Sequence, residues 1–90
     1  MSDDDDRAGT VRLVRAAQRG DTLAMARLLD ELAPYVGRIC GPIALDQGAD
    51  AAQEALVAVF RSLRSLKDPA AVRGWVRAIA VREAVRLARR

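Results

Sequence analysis

The sequence predicts an all-α fold, a compact bundle of four helices preceded by a flexible acidic N-terminal tail. Hydrophobic residues make up 51% of the 90 residues but aromatic residues only 3%. The core must therefore consist of aliphatic side chains and alanine, a composition that favours helices. Apolar residues also recur every three or four positions along most of the chain, as they do on one face of a helix. The length is that of one domain.

The first nine residues, MSDDDDRAG, are predicted to be a disordered acidic tail. This segment has little apolar surface to bury, and its four consecutive aspartates repel one another. A solubilising role is the simplest interpretation. The alternative is that the tail mimics nucleic acid and screens a basic helix elsewhere in the domain, which occupies residues 10–90.

Helix one is expected at about residues 10–19, where Leu13, Val14 and Ala17 share a face. Gly20 follows in the position where glycine commonly ends a helix, and Asp21 can cap the next helix. The link is so short that helices one and two must turn sharply against each other.

Helix two is expected from Thr22 to about Cys40, with Gly41 and Pro42 ending it. Pro34 lies inside this pattern, where proline normally breaks or kinks a helix. The apolar phase continues past Pro34, which lies on the polar side. This favours one helix with a kink on the solvent side. Two short helices would predict the same core.

Helix three is expected to begin at an Asp46 cap and to run to about Leu63 or Arg64. Its apolar stripe contains Ala52, Leu56, Val59, Phe60 and Leu63, so Phe60 is assigned to the core. The opposite face contains Asp50, Gln53, Glu54, Val57 and Arg61. The exposed Val57 among polar residues fits a surface that binds a partner.

Helix four is expected from an Asp68 cap, with Pro69 at the first helical position, to the end of the chain. Its apolar stripe contains Val72, Val76, Ile79, Ala80 and Leu87, with Trp75 at the edge. Its six arginines, at positions 73, 77, 82, 86, 89 and 90, accompany a single acid, Glu83.

The basic residues are concentrated in the second half of the chain. From Arg61 onward there are nine basic and two acidic residues, a net charge of +7. Such a surface suggests a polyanionic partner, most often nucleic acid, because arginine binds phosphates and stacks on bases. Trp75 is the best candidate for stacking on single-stranded bases. Its alternative role is to anchor helix four in the core.

No enzyme is predicted. Because there is no histidine and only Cys40, the chain lacks a His-based catalytic group, an internal disulfide and the usual metal ligands. No cofactor-binding motif is present. Asp50 and Glu54 are four residues apart, but nothing indicates a pocket for acid–base chemistry. The sequence contains no membrane-spanning run and no signal peptide, so a cytoplasmic location is expected.

The order of these motifs resembles region 2 of a bacterial sigma factor of the extracytoplasmic-function type. The resemblance covers about residues 10–90. An acid-x-x-Gln-Glu motif, here Asp50, Gln53 and Glu54, is followed by the aromatic Phe60. A Trp-hydrophobic-x-x-Ile-Ala pattern then begins at Trp75. The joint spacing of the two motifs is more specific than either motif alone.

This resemblance implies two binding surfaces. Helix three would bind the clamp helices of the β′ subunit of core RNA polymerase, and helix four with its preceding loop would recognise and melt the promoter −10 element. The polymerase-binding residues would be Asp50, Gln53 and Glu54, with Val57 and Arg61 added from the helical wheel. The residues for the single-stranded non-template DNA would be Lys67, Arg73, Trp75, Arg77, Arg82 and Arg86.

Two alternatives and one expectation accompany this interpretation. The first alternative is a helical protein-interaction module that binds polymerase or an anti-sigma factor without recognising DNA. A double-stranded DNA binder of the helix-turn-helix type is less well supported, because no recognition-helix turn is visible. Since a complete family member carries a second domain for the −35 element, we expect this chain to be a fragment of a longer protein, the alternative being an unusual single-domain member.

Overall fold

The computed structural model describes residues 3–89, with side chains from Arg7 onward. Every regular element in that range is helical, which confirms the all-α class. The α-helices are α1 (Asp3–Gln18), α2 (Thr22–Ala44), α3 (Gly48–Ser62) and α4 (Val72–Ala88). Short 3₁₀ turns occupy Leu45–Gln47, Leu63–Ser65 and Pro69–Ala71.

The helices are less separate than the sequence suggested. The turn Leu45–Gln47 joins α2 directly to α3, so helical elements follow one another without a gap from residue 22 to residue 65, although the positive φ of Leu45 is itself not helical. Counted as uninterrupted runs, the described part of the chain has three helical segments, at 3–18, 22–65 and 69–88. The second segment bends at the turn, so that α3 packs back against α2.

The core lies around α2, which packs against each of the other three helices. The largest fully buried side chains of the core are Val14, Leu28, Val36, Val59, Leu63 and Val76. Alanines fill much of the remaining space, which lets the helix backbones approach closely. No polar or charged side chain is buried among the described residues.

Helix α1 begins earlier than predicted. The expected start was Thr10, whereas the helical backbone extends back to Asp3 through part of the predicted disordered tail. Met1 and Ser2, which belong to the same predicted tail, lie outside the described residues.

The connection between α1 and α2 confirms the predicted stop and cap. Gly20 has a positive φ of 97°, a conformation that favours glycine. The amides of Gly20 and Asp21 donate to the carbonyls of Ala17 and Ala16, which is the Schellman arrangement. The Asp21 carboxylate then accepts the amide N–H of Ala24 at 3.0 Å and caps α2.

Helix α2 passes Pro34 without a break, which confirms the one-helix interpretation. The predicted end near Cys40 is wrong, since the helix continues past Gly41 and Pro42 to Ala44. Both prolines are exposed, so their rings do not disturb the core. Burial of Cys40 and Ala44 stabilises the last turn despite the hydrogen bond that a proline removes.

The turn between α2 and α3 differs from the prediction of an Asp46 cap. Gln47 is the residue before α3, it makes no side-chain cap, and the backbone of the 3₁₀ turn supplies the first bonds instead. Leu45 has a positive φ of 53° and is 74% exposed. Gly48 is buried so close to Gly41 that a Cβ atom there would lie 3.1 Å from the Gly41 Cα.

The connection between α3 and α4 is held by α1. The Gln18 side-chain amide donates to the carbonyl oxygens of Leu63 at 2.9 Å and Leu66 at 2.8 Å. The Asp68 carboxylate accepts the Ala70 amide N–H at 3.1 Å, which confirms the predicted cap. Pro69 occupies the first position of the 3₁₀ turn that leads into α4.

Candidate protein and nucleic-acid interfaces

The polar face predicted on α3 is exposed. Its spacing of three, four, seven and eleven residues places all its members within an arc of about 100°, at 3.6 residues per turn. Val57 is 40% exposed among them, an apolar side chain that nothing in the domain covers fully. The face consists of Asp50, Gln53, Glu54, Val57 and Arg61, and every one of these residues is exposed; we call it the α3 face.

Phe60 belongs beside this face and not in the core, contrary to the prediction from the apolar stripe. It is 56% exposed. The buried strip of α3 is narrow, because it consists mainly of Ala51, Ala55 and Val59 packed closely against α2 and α4. The sequence contained one sign of this position: Phe60 follows Gln53 by seven residues, two helical turns on the same side.

The predicted DNA-binding residues of α4 divide into two groups on either side of its buried stripe. Arg73 and Arg77 are four residues apart on the flank towards α2. Trp75, Arg82 and Arg86 are seven and eleven residues apart on the flank towards α3. The sequence grouped these residues by composition, whereas the helix separates them.

On the α2 side, Arg73 is held against Tyr35. Its guanidinium carbon lies 4.9 Å from the centroid of the Tyr35 ring, within the range of a cation–π contact. The Tyr35 hydroxyl also donates to the Arg73 carbonyl oxygen at 3.3 Å. The half-buried Tyr35 therefore orients Arg73 at the start of α4 while leaving its charge near the surface.

On the α3 side, Arg86 joins the two predicted surfaces. Its Nε lies 2.7 Å from a Glu83 carboxylate oxygen, and one terminal nitrogen lies 3.9 Å from a Glu54 oxygen. The hydrogen bond to Glu83, with the charges of both glutamates, raises the pKa of Arg86 above its usual value despite some desolvation. Arg86, predicted to bind DNA, thus lies beside Glu54, predicted to bind polymerase.

The remaining predicted DNA-binding residues have no charged partner within the described part of the domain and are at least partly accessible to solvent. Lys67, Arg77 and Arg82 are exposed, and none of them forms an ion pair within residues 7–89. Trp75 is half-buried and packs against the core cluster. It contributes to the core while part of its ring stays accessible, so its two predicted roles are compatible.

Cys40 has the environment of a core residue. It is fully buried, and its thiol donates to the Ala80 carbonyl oxygen at 3.5 Å. Burial, helped by the charge of Glu83, raises the pKa of the Cys40 thiol, which makes it a poor nucleophile. Over the described residues, no three His, Cys, Asp or Glu side chains cluster as metal ligands would, and no helix is long and apolar enough to cross a membrane.

Comparison with protein families, curated proteins and solved structures finds no match to this chain. The features of this chain that bear on its function are the exposed α3 face and the distribution of charge over α4.

Proposed function

We propose that this chain is a transcription initiation factor domain that resembles sigma region 2, with α1 to α4 as its four-helix bundle. The observation that carries the proposal is the α3 face, where Asp50, Gln53 and Glu54 of the motif are exposed on one side of one helix. Their exposure leaves all three side chains accessible to a partner. The proposed role places the chain in the cytoplasm.

The α3 face would bind the β′ clamp helices of core RNA polymerase. Asp50 and Glu54 supply carboxylates to basic residues of the partner, and Gln53 supplies an amide that both donates and accepts hydrogen bonds. Val57 supplies an apolar contact in the middle of the face, where interfaces carry most of their binding energy. Arg61 adds a positive charge at the far end.

The promoter −10 element would be bound by α4 and the loop before it. Lys67, Arg77 and Arg82 are placed to neutralise phosphates of the non-template strand. The accessible part of Trp75 can stack on a base, which offsets the cost of about a few kcal/mol for extracting that base from the duplex. Arg73 and Arg86 would contribute charge from positions set by their internal partners.

A second candidate is a helical interaction module that binds polymerase or an anti-sigma factor without recognising DNA. The engagement of Arg73 by Tyr35 and of Arg86 by two glutamates favours it, because both guanidiniums already have partners within the domain. The two candidates share the α3 face and differ in the role of α4.

Polymerase binding is tested by a pull-down of core RNA polymerase, or of isolated β′ clamp helices, with the wild-type domain and Glu54→Arg. Reversal of one exposed charge should abolish most of the binding without changing the melting curve. Glu31→Arg is the matched control, because it makes the same charge change at an exposed position on α2. Equal retention of polymerase by wild type and Glu54→Arg would refute the assignment of the α3 face.

DNA binding is tested by titrating the polymerase-bound domain with a labelled single strand of −10 sequence at several salt concentrations. Loss of two phosphate contacts in Arg77→Ala/Arg82→Ala should reduce the slope of log K against log salt by about 1.4. Arg27→Ala/Arg38→Ala, on exposed positions of α2, should leave the slope unchanged. The same slope in wild type and in the α4 variant would favour the interaction module.

A further inference from the structure

A groove lies between the α1–α2 turn and the last turn of α3. Its volume is about 390 Å³, within the range of about 300–1,000 Å³ typical of binding pockets. Its accessible apolar surface comes mainly from the exposed ring of Phe60 and the half-buried Met25, while the buried Leu63 and Ala17 lie beneath them at the edge of the core. The groove is lined by Ala17, Gly20, Asp21, Thr22, Met25, Phe60, Arg61, Leu63 and Arg64; we call it the Phe60 groove.

Phe60 makes this groove unusual for an isolated domain. A phenylalanine that is 56% exposed leaves most of its ring in water, and burying that ring against a partner would be favourable. Aromatic side chains beside a concave apolar surface are typical of the residues that anchor protein interfaces.

The charges on the rim indicate what the occupant carries. Arg61 and Arg64 are both exposed on the α3 side of the groove. Arg64 extends towards the α1–α2 turn, where its terminal nitrogen lies 4.0 Å from the position that a Cβ atom of Gly20 would take. The one acid of the lining, Asp21, has its carboxylate directed to the Ala24 amide as a helix cap. The rim is therefore positive towards a ligand.

We propose that the Phe60 groove binds an acidic peptide segment of a partner protein, one that carries a large apolar side chain flanked by Asp or Glu. The apolar side chain would pack on Phe60 and Met25. The flanking carboxylates would pair with Arg61 and Arg64, with bidentate geometry available to each guanidinium. Arg61 is a member of both the α3 face and the Phe60 groove, whereas Arg64 belongs to the groove alone.

The charge preference separates this site from the proposed polymerase-binding site. The N-terminal half of the α3 face presents Asp50 and Glu54 and requires basic residues from its partner. The Phe60 groove, at the other end of the same helix, requires acidic residues. The inference does not depend on the proposed function and is tested without polymerase.

The test begins with a library of random displayed peptides selected on the wild-type domain. The enriched peptides should combine an aromatic residue or leucine with neighbouring Asp or Glu. In fluorescence polarisation with a synthetic copy of an enriched peptide, Phe60→Ala and Arg64→Glu should each weaken binding by about ten-fold or more. Leu23→Ala is the matched control for Phe60→Ala, since Leu23 is also an exposed apolar residue at 62% but lies outside the groove. Arg38→Glu, the same charge change at an exposed position of α2 outside the groove, is the control for Arg64→Glu.

A second measurement on the wild-type protein does not depend on any variant folding. Addition of the peptide should shift the backbone amide NMR signals of residues 17–25 and 60–64 more than those elsewhere. Failure to enrich any peptide, enrichment of basic peptides, shifts that map elsewhere or equal binding by the wild type and Phe60→Ala would each overturn the proposal. Loss of binding in Glu54→Arg as well would assign the peptide to the α3 face instead.

Discussion

Replacement of Gln18 by leucine tests how the tertiary structure holds the loop before α4. Gln18 is far from that loop in sequence, yet its side-chain amide donates to Leu63 O at 2.9 Å and to Leu66 O at 2.8 Å. Leucine retains a similar size and a high helix propensity, so the substitution removes mainly the two hydrogen bonds. The perturbation therefore acts on the junction between α1 and the end of α3.

The magnitude follows from the environment of the two carbonyls. Each hydrogen bond contributes about 1 kcal/mol net, and a carbonyl left without a partner adds to the loss. The Leu63 carbonyl also accepts the Leu66 amide at 3.1 Å, so it retains a partner in the variant. Since the site is only partly buried, water can reach the other carbonyl, and we expect a loss of about 2 kcal/mol.

The assay is thermal or urea unfolding followed by helical circular dichroism. With an unfolding entropy of roughly 0.19 kcal/mol/K for 90 residues, 2 kcal/mol corresponds to a decrease in Tm of about 10 °C. Gln53→Leu makes the same chemical change at an exposed position of α3 and should alter stability by less than about 0.5 kcal/mol. Equal Tm values for Gln18→Leu and Gln53→Leu would refute the reasoning.

Two further predictions concern glycines and the cysteine. Gly37→Ala should stabilise the domain by up to about 1 kcal/mol, because a Cβ atom at that position meets nothing within 4 Å. Gly48→Ala should not stabilise it, or should destabilise it, because its Cβ would lie 3.1 Å from the Gly41 Cα. Equal changes in the free energy of urea unfolding for the two variants would contradict this. Burial in the folded state raises the pKa of the Cys40 thiol, so the folded protein holds the thiol proton more tightly than the unfolded chain does. The free energy of unfolding should therefore fall above about pH 8.5, the ordinary pKa of a thiol. Cys40→Ala should show a smaller decline over the same pH range, and identical slopes in urea unfolding would contradict the assignment.

The position of Phe60 illustrates the limit of helical periodicity as evidence. A wheel shows which residues share a side, but the width of the buried strip depends on how closely the neighbouring helices approach. In α3 that strip consists largely of small residues, so α2 and α4 lie close and cover a narrow arc. Phe60 lies outside this buried strip, and its exposed ring forms part of the Phe60 groove.

The arginines of α4 illustrate a different limit. Their number and their placement in the second half of the chain are visible in the sequence, and so is the expectation of a polyanionic partner. Their partners are not, because Tyr35 and Glu54 are brought to Arg73 and Arg86 only by the packing of α2 and α3 against α4. A double-mutant cycle would be needed to separate the internal role of Arg86 from a role in binding DNA.

Local chemistry, readable from the sequence, determined the helical class, the Gly20 stop, the Asp21 and Asp68 caps and the exposed motif on α3. Each of these features depends on residues within about one helical turn of one another, where the geometry of the backbone is nearly invariant. Only the tertiary structure decided the continuation of α2 to Ala44, the exposure of Phe60, the neighbouring helix that each flank of α4 faces and the bonds made by Gln18. These features depend on which helices approach one another and how closely they pack. Helix packing is decided by contacts between residues that are far apart in the chain.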